Sequence, residues 1–316
     1  YPLLKNYPII DKVFIFEKDE WKETLKESKI KFLKKAFSFF KEIKKEKYDV
    51  LFDLSLNSQY GFFFKMCGIK KRIGFNFKNR GRFLTDKIDI VSGYSDKHVA
   101  KYHLELLKFL NITPKDSKFE LFLSEEPLKN AGKILEASGI KKDDLLVAVC
   151  PGSGDSWRNT AYFKRWPQEN FLNLCAKLTV ETKAKILLFG SKPEAGVCSY
   201  VSGELKENIV DLCAKLDLQE FCAALSMCNL LITNDGGPFH IAQALGKKAI
   251  VLFGPVDEKV YGAYPITDNC VVFSKHISCR PCYKSFRFSG CNTDKQCLRE
   301  IGVDEVFLAA KSLLKV

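Results

Sequence analysis

No apolar run in these 316 residues approaches the ~18 residues of a bilayer span, which excludes a membrane-crossing helix. The opening Tyr1-Pro2-Leu3-Leu4-Lys5 lacks the residue order of a secretory signal. There is no initiator Met, and the chain reads as starting inside a domain, so a native N-terminal segment is expected to precede it. Internal repeats and low-complexity tracts are missing, which excludes solenoids and arrays. Neither a Walker loop ending in Gly-Lys-Ser/Thr nor a Gly-x-Gly-x-x-Gly fingerprint occurs, so P-loop hydrolysis and standard dinucleotide binding are set aside. No nucleic-acid-binding module is present.

What is there begins with charge. Fifty Lys and Arg stand against 38 Asp and Glu, a formal net charge of +12. Such a surface favours anionic partners: an acidic glycan or an anionic membrane surface. The interleaving of Lys41-Glu42-Ile43-Lys44-Lys45-Glu46-Lys47 also fits an ordinary solvated helix face. The length favours two domains, and an apolar fraction of 46% is enough to bury a full core.

Alternating apolar runs and amphipathic stretches imply an α/β protein. The first part predicts strands at 13–16, 48–54 and 72–75, one long helix over 21–45, and helices near 60–67 and 98–110. Alternation at this spacing gives a mostly parallel sheet with helical crossovers. The pattern breaks at 111–116. The expected organisation is an N-terminal domain (1–125), an interdomain helix (126–143), a second domain (144–298) and a C-terminal helix (299–316). The unbroken apolar runs at 145–150, 185–190, 230–233 and 249–254 read as buried parallel strands of a doubly wound sheet. Ligands bind such sheets outside the carboxyl ends of the strands.

The most informative stretch runs from Leu230 to Gly246. It reads as strand, tight loop, helix and helix stop. Asp235 sits at the strand end, and Gly236 and Gly237 allow a sharp turn and close backbone approach. Pro238 suits the first helical position, and Gly246 a helix stop. Free N–H groups at that helix start suit a diphosphate. The plain alternative is one more strand–helix junction that binds nothing.

Other strand-end loops offer weaker signals. Pro151-Gly152-Ser153-Gly154 supplies glycines and a hydroxyl for phosphate contact, or is a simple turn. Lys164 is a candidate cation for a departing diphosphate, or one more surface lysine. Glu194 is placed to address nucleoside hydroxyls, or is a helix-start acid favoured by the dipole. His240, on the first turn of the phosphate helix, is a candidate donor to sugar or phosphate, or structural. Phe253-Gly254-Pro255 is expected to wall the pocket. Lys70, Lys71, Arg72, Arg80 and Arg82 are candidates for an acidic acceptor, or a solvated basic surface.

The run Asn234-Asp235-Gly236-Gly237-Pro238-Phe239-His240-Ile241-Ala242-Gln243-Ala244-Leu245-Gly246, followed by Leu252-Phe253-Gly254-Pro255, resembles the signature of the heptosyltransferases of lipopolysaccharide synthesis, glycosyltransferase family nine. That signature is Asp-Ser/Thr-Gly-Pro-x-His-x-Ala-x-Ala-x-Gly, then Phe-Gly-Pro. Pro151-Gly152-Ser153, Lys164-Arg165-Trp166-Pro167, Glu194, Pro281-Cys282-Tyr283 and Cys297-Leu298 follow in the family's order. Gly236 departs from the usual Ser or Thr, removing one hydroxyl contact. The resemblance implies a GT-B fold: two doubly wound, Rossmann-like domains facing a cleft, the N-terminal one acceptor-binding and the second donor-binding. It implies an inverting transferase moving heptose from ADP-heptose to an acidic lipid A/Kdo-type glycolipid. Such an enzyme acts in the cytoplasm, peripherally at the inner face of the inner membrane, and needs no cofactor for catalysis. Carried over by position, Ser153, Gly154, Lys164, Glu194, Asp235, Gly236, Gly237, Pro238 and His240 hold the donor, with Lys164, Asp235 and His240 catalytic. The general base is expected in an N-terminal Gly-Asp loop ahead of Tyr7-Pro8-Ile9-Ile10-Asp11-Lys12-Val13. Two rivals are a GT-B enzyme for another nucleotide sugar, such as an epimerase, and a catalytically silent binding or scaffold protein.

Twelve cysteines complete the picture. Cys67, Cys150, Cys175, Cys198, Cys213, Cys222, Cys228 and Cys270 sit singly in apolar text and read as small buried hydrophobes in a reducing compartment. Cys279, Cys282, Cys291 and Cys297 cluster, and suit a structural Zn²⁺ or iron, two disulfides, or free thiols.

Overall fold

The computed structural model describes residues 2–5, 7–115, 118–154, 157–205 and 208–316. The chain divides into a smaller unit, Lys12–Lys115, and a larger one, Tyr1–Asp11 with Asp116–Val316.

The smaller unit runs α1 (Lys18–Glu27), α2 (Lys29–Lys45), β1 (Val50–Asp53), α3 (Ser58–Met66), β2 (Lys71–Asn76), β3 (Asp86–Asp89) and α4 (Val99–Glu105). Its three strands are parallel, in the order β1-β2-β3. Among the described residues the stretch 13–16, expected as a strand, forms none and pairs with none. Phe14 and Phe16 instead join an aromatic cluster, with Phe16 4.5 Å from Trp21 and Phe14 6.1 Å from Phe39 between ring centres. The single helix expected over 21–45 is two. Ser28 is extended (φ −161°), and its hydroxyl accepts from the Lys31 amide at 3.3 Å, capping α2. Strand β3 escaped the sequence reading because Asp86-Lys87-Ile88-Asp89 is three-quarters charged.

The larger unit runs α5 (Glu125–Ala137), β4 (Leu146–Cys150), α6 (Gln168–Thr182), β5 (Lys185–Leu188), α7 (Ala195–Glu204), β6 (Ile209–Asp211), α8 (Leu218–Met227), β7 (Leu230–Asn234), α9 (Gly237–Ala244), β8 (Ala249–Phe253), α10 (Glu258–Tyr261), β9 (Cys270–Ser274), the hairpin β10 (Tyr283–Lys284) and β11 (Arg287–Phe288), α11 (Gln296–Arg299) and α12 (Val303–Leu314). Six strands form one all-parallel sheet ordered β6-β5-β4-β7-β8-β9. Every residue of β4, β7 and β8 is buried, as continuous apolar runs require. Alternation along β4 sorts the core into two layers. Val147 and Val149 face Phe171, Leu174 and Phe307. Ala148 and Cys150 face Leu225 and Phe239 on the other side. The edge strands β6 and β9 are only half-buried, and their weaker apolar pattern hid them from the sequence reading.

The helix expected to link two domains does other work. α5 buries Pro127, Ala131 and Leu135, the last two in the same core layer as Leu225 of α8. The larger unit therefore takes in the chain from residue 116, ahead of the expected boundary near 125.

Candidate functional site

The sheet order reverses between β4 and β7: the chain steps outward from β4 through β5 to β6, then restarts at β7 on the other side. The carboxyl ends of those two strands therefore part over a crevice, where doubly wound sheets bind ligands. A cavity of about 430 Å³ lies there. Its polar rim is Gly152, Ser153, Gly154, Ser191, Glu194 and Asn234; Leu212, Leu216, Leu218 and Phe221 supply an apolar wall. The apolar wall comes from the β6–α8 connection and the first turn of α8, which carried no recognisable motif.

Asn234, fully buried at the end of β7, ties three segments together. Its Nδ2 donates to the carbonyls of Pro151 (2.9 Å) and Gly152 (2.8 Å), and its Oδ1 accepts from the Trp166 amide (2.9 Å). The sequence reading quoted Asn234 within the signature but gave it no role. No sequence signal could have found it: its full burial, which requires that the amide be bonded, shows only in the structure. Trp166 is held from the other side too: its indole N–H donates to the Ile301 carbonyl at 3.0 Å. Lys295 adds to this hold, its ammonium 3.3 Å from the Arg165 carbonyl.

That clamp sets Lys164. Its ammonium lies 2.7 Å from Asp235 Oδ2, and both side chains are buried. It also sits 5.2 Å from the centre of the Trp157 ring. Asp235 precedes α9, whose first residues Gly237 and Pro238 lie open: Gly237 is exposed, and no side chain caps the helix start. Gly236 is extended (φ 170°), a backbone any residue adopts, and it packs against the Ser153 carbonyl. His240 is partly buried one turn on. Its imidazole pKa is lowered, first by burial, with Lys164 adding to the effect and Asp235 and Gln243 opposing it.

Ser153 and Glu194 are engaged within the protein. The buried Ser153 hydroxyl donates to the Ala161 carbonyl at 3.0 Å, leaving only its lone pairs toward the cavity. Glu194 Oε1 accepts from the Gly154 amide (2.8 Å), and Oε2 from the Ser191 amide (2.8 Å) and hydroxyl (2.7 Å). It closes a capping box with Ser191, the helix-start role weighed in the sequence, and also fastens the β4 loop. The carboxylate presses on Gly152 so closely that a Cβ there would stand 1.8 Å from Oε1. Gly154 takes φ +71°, the left-handed region that suits glycine.

Several expected residues lie elsewhere. Phe253-Gly254-Pro255 does not line the cavity; Gly254 abuts Leu298, and the Pro255 carbonyl accepts from the Cys282 and Tyr283 amides. In the smaller unit Arg72 is buried and donates to the carbonyls of Phe83, Ile69 and Lys70, and the Lys71 ammonium donates to the Phe109 carbonyl. Both cations are committed to backbone. Lys70, Arg80 and Arg82 are exposed, with Arg82 4.9 Å from the Phe83 ring centre.

The cysteine cluster does not converge on one point. Among the described residues no group of three or more His, Cys, Asp or Glu is placed to hold a metal ion, so the expected Zn²⁺ or iron at Cys279, Cys282, Cys291 and Cys297 is unsupported. The Thr293 hydroxyl sits between the sulfurs of Cys279 (3.9 Å) and Cys291 (3.8 Å), and the Cys282 thiol donates to the Cys279 carbonyl at 3.2 Å. All twelve cysteines are free thiols. Of the eight read as buried hydrophobes, Cys213 and Cys270 are half-buried and the rest buried.

Comparison with known proteins gives this geometry a family. A family model described as glycosyltransferase family 9 (heptosyltransferase) matches residues 36–291. Lipooligosaccharide heptosyltransferase 2 of Campylobacter jejuni is 24% identical over 294 residues, covering 92% of this chain and 82% of that protein. Lipopolysaccharide heptosyltransferase 1 of Campylobacter coli is 26% identical over 272 residues, 80% of this chain and 71% of the relative. Among solved structures, E. coli ADP-heptose lps heptosyltransferase II superposes with a TM-score of 0.70 at 17% identity, covering 93% of this chain and 87% of that one. The family 9 glycosyltransferase of Veillonella parvula gives 0.72 at 23% identity, covering 89% and 79%. The fold is thus the GT-B-like α/β fold of two Rossmann-like units. The chain belongs to glycosyltransferase family 9, the heptosyltransferases, and is a glycosyltransferase.

Proposed function

We propose that this enzyme transfers heptose from ADP-heptose to an inner-core sugar of a lipopolysaccharide acceptor, with inversion at the anomeric carbon. The observation that carries the reading is the buried Lys164–Asp235 pair beside the uncapped start of α9, next to the cavity at the strand-order reversal. In the reaction the bond from the anomeric carbon to the diphosphate breaks. The acceptor oxygen forms the new bond and gives up its proton to a base. Negative charge grows on the departing diphosphate. Lys164 and the Gly237 amide at the uncapped α9 start meet that charge, and a preformed cation does so without reorganisation. Asp235 holds Lys164 in place until phosphate competes for it. His240, kept neutral by burial, offers a ring nitrogen to a sugar hydroxyl or phosphate oxygen. The apolar wall of Leu216, Leu218 and Phe221 receives the nucleoside base, and Glu194 orders the loops beneath it. Arg80 and Arg82 are exposed and free to meet an acidic acceptor.

The relatives named for lipooligosaccharide and lipopolysaccharide support the acceptor class, and the E. coli homologue named for ADP-heptose supports the donor. Titration calorimetry with ADP-heptose, UDP-, GDP- and CMP-sugars tests the donor. Preference for ADP-heptose is expected. Tighter binding of a UDP-sugar overturns the heptose assignment and favours another nucleotide-sugar enzyme.

A further inference from the structure

A lysine carries its charge on a long, flexible stem, and one carboxylate does not by itself fix where that charge sits. A second restraint on Lys164 comes from the late hairpin. Its register sets Tyr283 directly opposite Phe288. Residues opposite one another in an antiparallel pair project from the same face. Both rings lie against Trp157, with centres 5.2 and 4.9 Å away and planes tilted by 32° and 40°. Phe288 also meets Phe163, at 5.2 Å. The hairpin therefore touches both ends of the turn Arg158–Lys164 and its flank. It is fastened in turn to the loop after β8, where the Pro255 carbonyl accepts from the Cys282 and Tyr283 amides at 2.9 and 3.0 Å.

The Trp157 ring centre stands 5.2 Å from Lys164 Nζ. That is inside the reach of a cation–π contact, about 6 Å, and burial of the ammonium strengthens the attraction. Tyr283 lies near enough to Asp235 to feel its charge: the pKa of the phenol is raised, first by burial and then by that carboxylate. We propose that Trp157 is a positioning residue for Lys164: seated on the Tyr283–Phe288 pair, its ring fixes the ammonium beside Asp235 at the start of α9. The assignment rests on the reading of Lys164 as the cation that meets the donor diphosphate. Nothing reacts at Trp157; the ring acts through the lysine. A second carboxylate in its place would compete with phosphate for the cation, whereas a ring face holds the charge without offering a lone pair. The late hairpin thereby takes part in donor binding although none of its strand residues lines the cavity.

Calorimetry with ADP on the full chain tests this as a double-mutant cycle. Trp157→Leu is expected to weaken ADP binding by about threefold to thirtyfold, and Trp157→Phe, which keeps a ring face, by less. Phe288→Leu removes part of the seat and should weaken binding in the same direction. In a Lys164→Met background, itself down by about 10- to 100-fold, Trp157→Leu should cost less than about twofold more, because the charge it positions is gone. Where Lys164→Met alone is too unstable, Lys164→Met/Asp235→Asn serves as the background, since it leaves no buried charge alone. Should Trp157→Leu fail to fold in thermal melts, Trp157→Phe and Phe288→Leu carry the same cycle. Wild-type ADP affinity in Trp157→Leu or Phe288→Leu overturns the proposal. So does an equal loss with and without Lys164, which would mean that the ring holds the loop or meets the nucleotide by itself. Wild-type affinity in Lys164→Met is a different failure: it removes the donor reading, and the positioning role falls with it.

Discussion

Lys164 Nζ and Asp235 Oδ2 stand 2.7 Å apart, and neither side chain is more than 8% exposed. A buried pair of this kind costs desolvation on both sides, and removing one partner leaves a lone charge in the interior. Asp235→Asn or Lys164→Met alone should therefore destabilise the fold by about 3–5 kcal/mol, and the double variant by clearly less. Urea unfolding of the three proteins checks this. Lys164→Met should also weaken ADP-sugar binding by about 10- to 100-fold, the scale of one charged hydrogen bond. Wild-type affinity in that variant would remove Lys164 from the donor site.

Asn234 makes a second prediction separable from the first. Asn234→Ala strips bonds from the Trp166 amide and from the Pro151 and Gly152 carbonyls. A loss of stability on the order of 1–3 kcal/mol per orphaned group is expected, partly relieved by entering water. Because Asn234 holds loops in place, donor affinity should fall together with stability. Calorimetry and thermal melts together read this.

Gly152 and Gly236 should answer oppositely to added bulk. Gly152→Ala drives a methyl into Glu194 Oε1, so the carboxylate must leave the Gly154 amide, and donor binding should drop. At Gly236 the backbone is extended, and a new Cβ would meet the Ser153 carbonyl oxygen at 3.3 Å, close but adjustable. Gly236→Ser should fold with a change of roughly 1 kcal/mol or less and bind the donor more tightly, because it supplies a hydroxyl beside the α9 start. Weaker binding by the serine variant would show that the glycine is there for space.

Stability should decline on the acid side of neutrality. His240 and His103 both carry pKa values lowered from 6.5, in each case chiefly by burial. Between those depressed values and about 6.5 the unfolded chain binds more protons than the folded one, so stability falls as pH drops through the window. A His240→Gln/His103→Gln variant should lose this pH dependence. Melting temperatures across that range decide it.

The late cysteines should react unequally. Burial acts to raise the Cys291 thiol, but amides of Lys295 and Thr293 and the Thr293 hydroxyl outweigh it, leaving its pKa below 9.0. Cys282 is pushed up to about 11 by burial and by neighbouring Cys279. Cys291 should alkylate well before Cys282 near neutral pH, as read by mass spectrometry of timed digests. Protection of all four late cysteines until a chelator is added would reopen the metal reading.

The sequence exposed most where one residue type had one use. Continuous apolar text marked β4, β7 and β8, and the Asp235-Gly236-Gly237-Pro238 turn marked the α9 start. It exposed least where a side chain's partners are remote. The Arg72 guanidinium looked like a surface cation, yet backbone carbonyls consume it. Glu194 read equally as a ligand contact or a helix-start acid, and only the structure shows its oxygens accepting from Gly154 and Ser191. Asn234 gave no sign of its three bonds, because their partners lie 68 to 83 residues away. Ser28 broke a helix that periodicity alone would have run through.

Trp166 depends on Ile301, which follows it by 135 residues. During synthesis the ribosome therefore delivers the loops after β4 and β7 long before the carbonyl that seats the indole. Until Ile301 emerges, the segment bearing Lys164 has Ser153, Asn234, Asp235 and Lys295 to hold it but lacks the anchor of the Trp166 indole. A nascent chain halted before that point would carry every loop of the cavity with Trp166 only half seated.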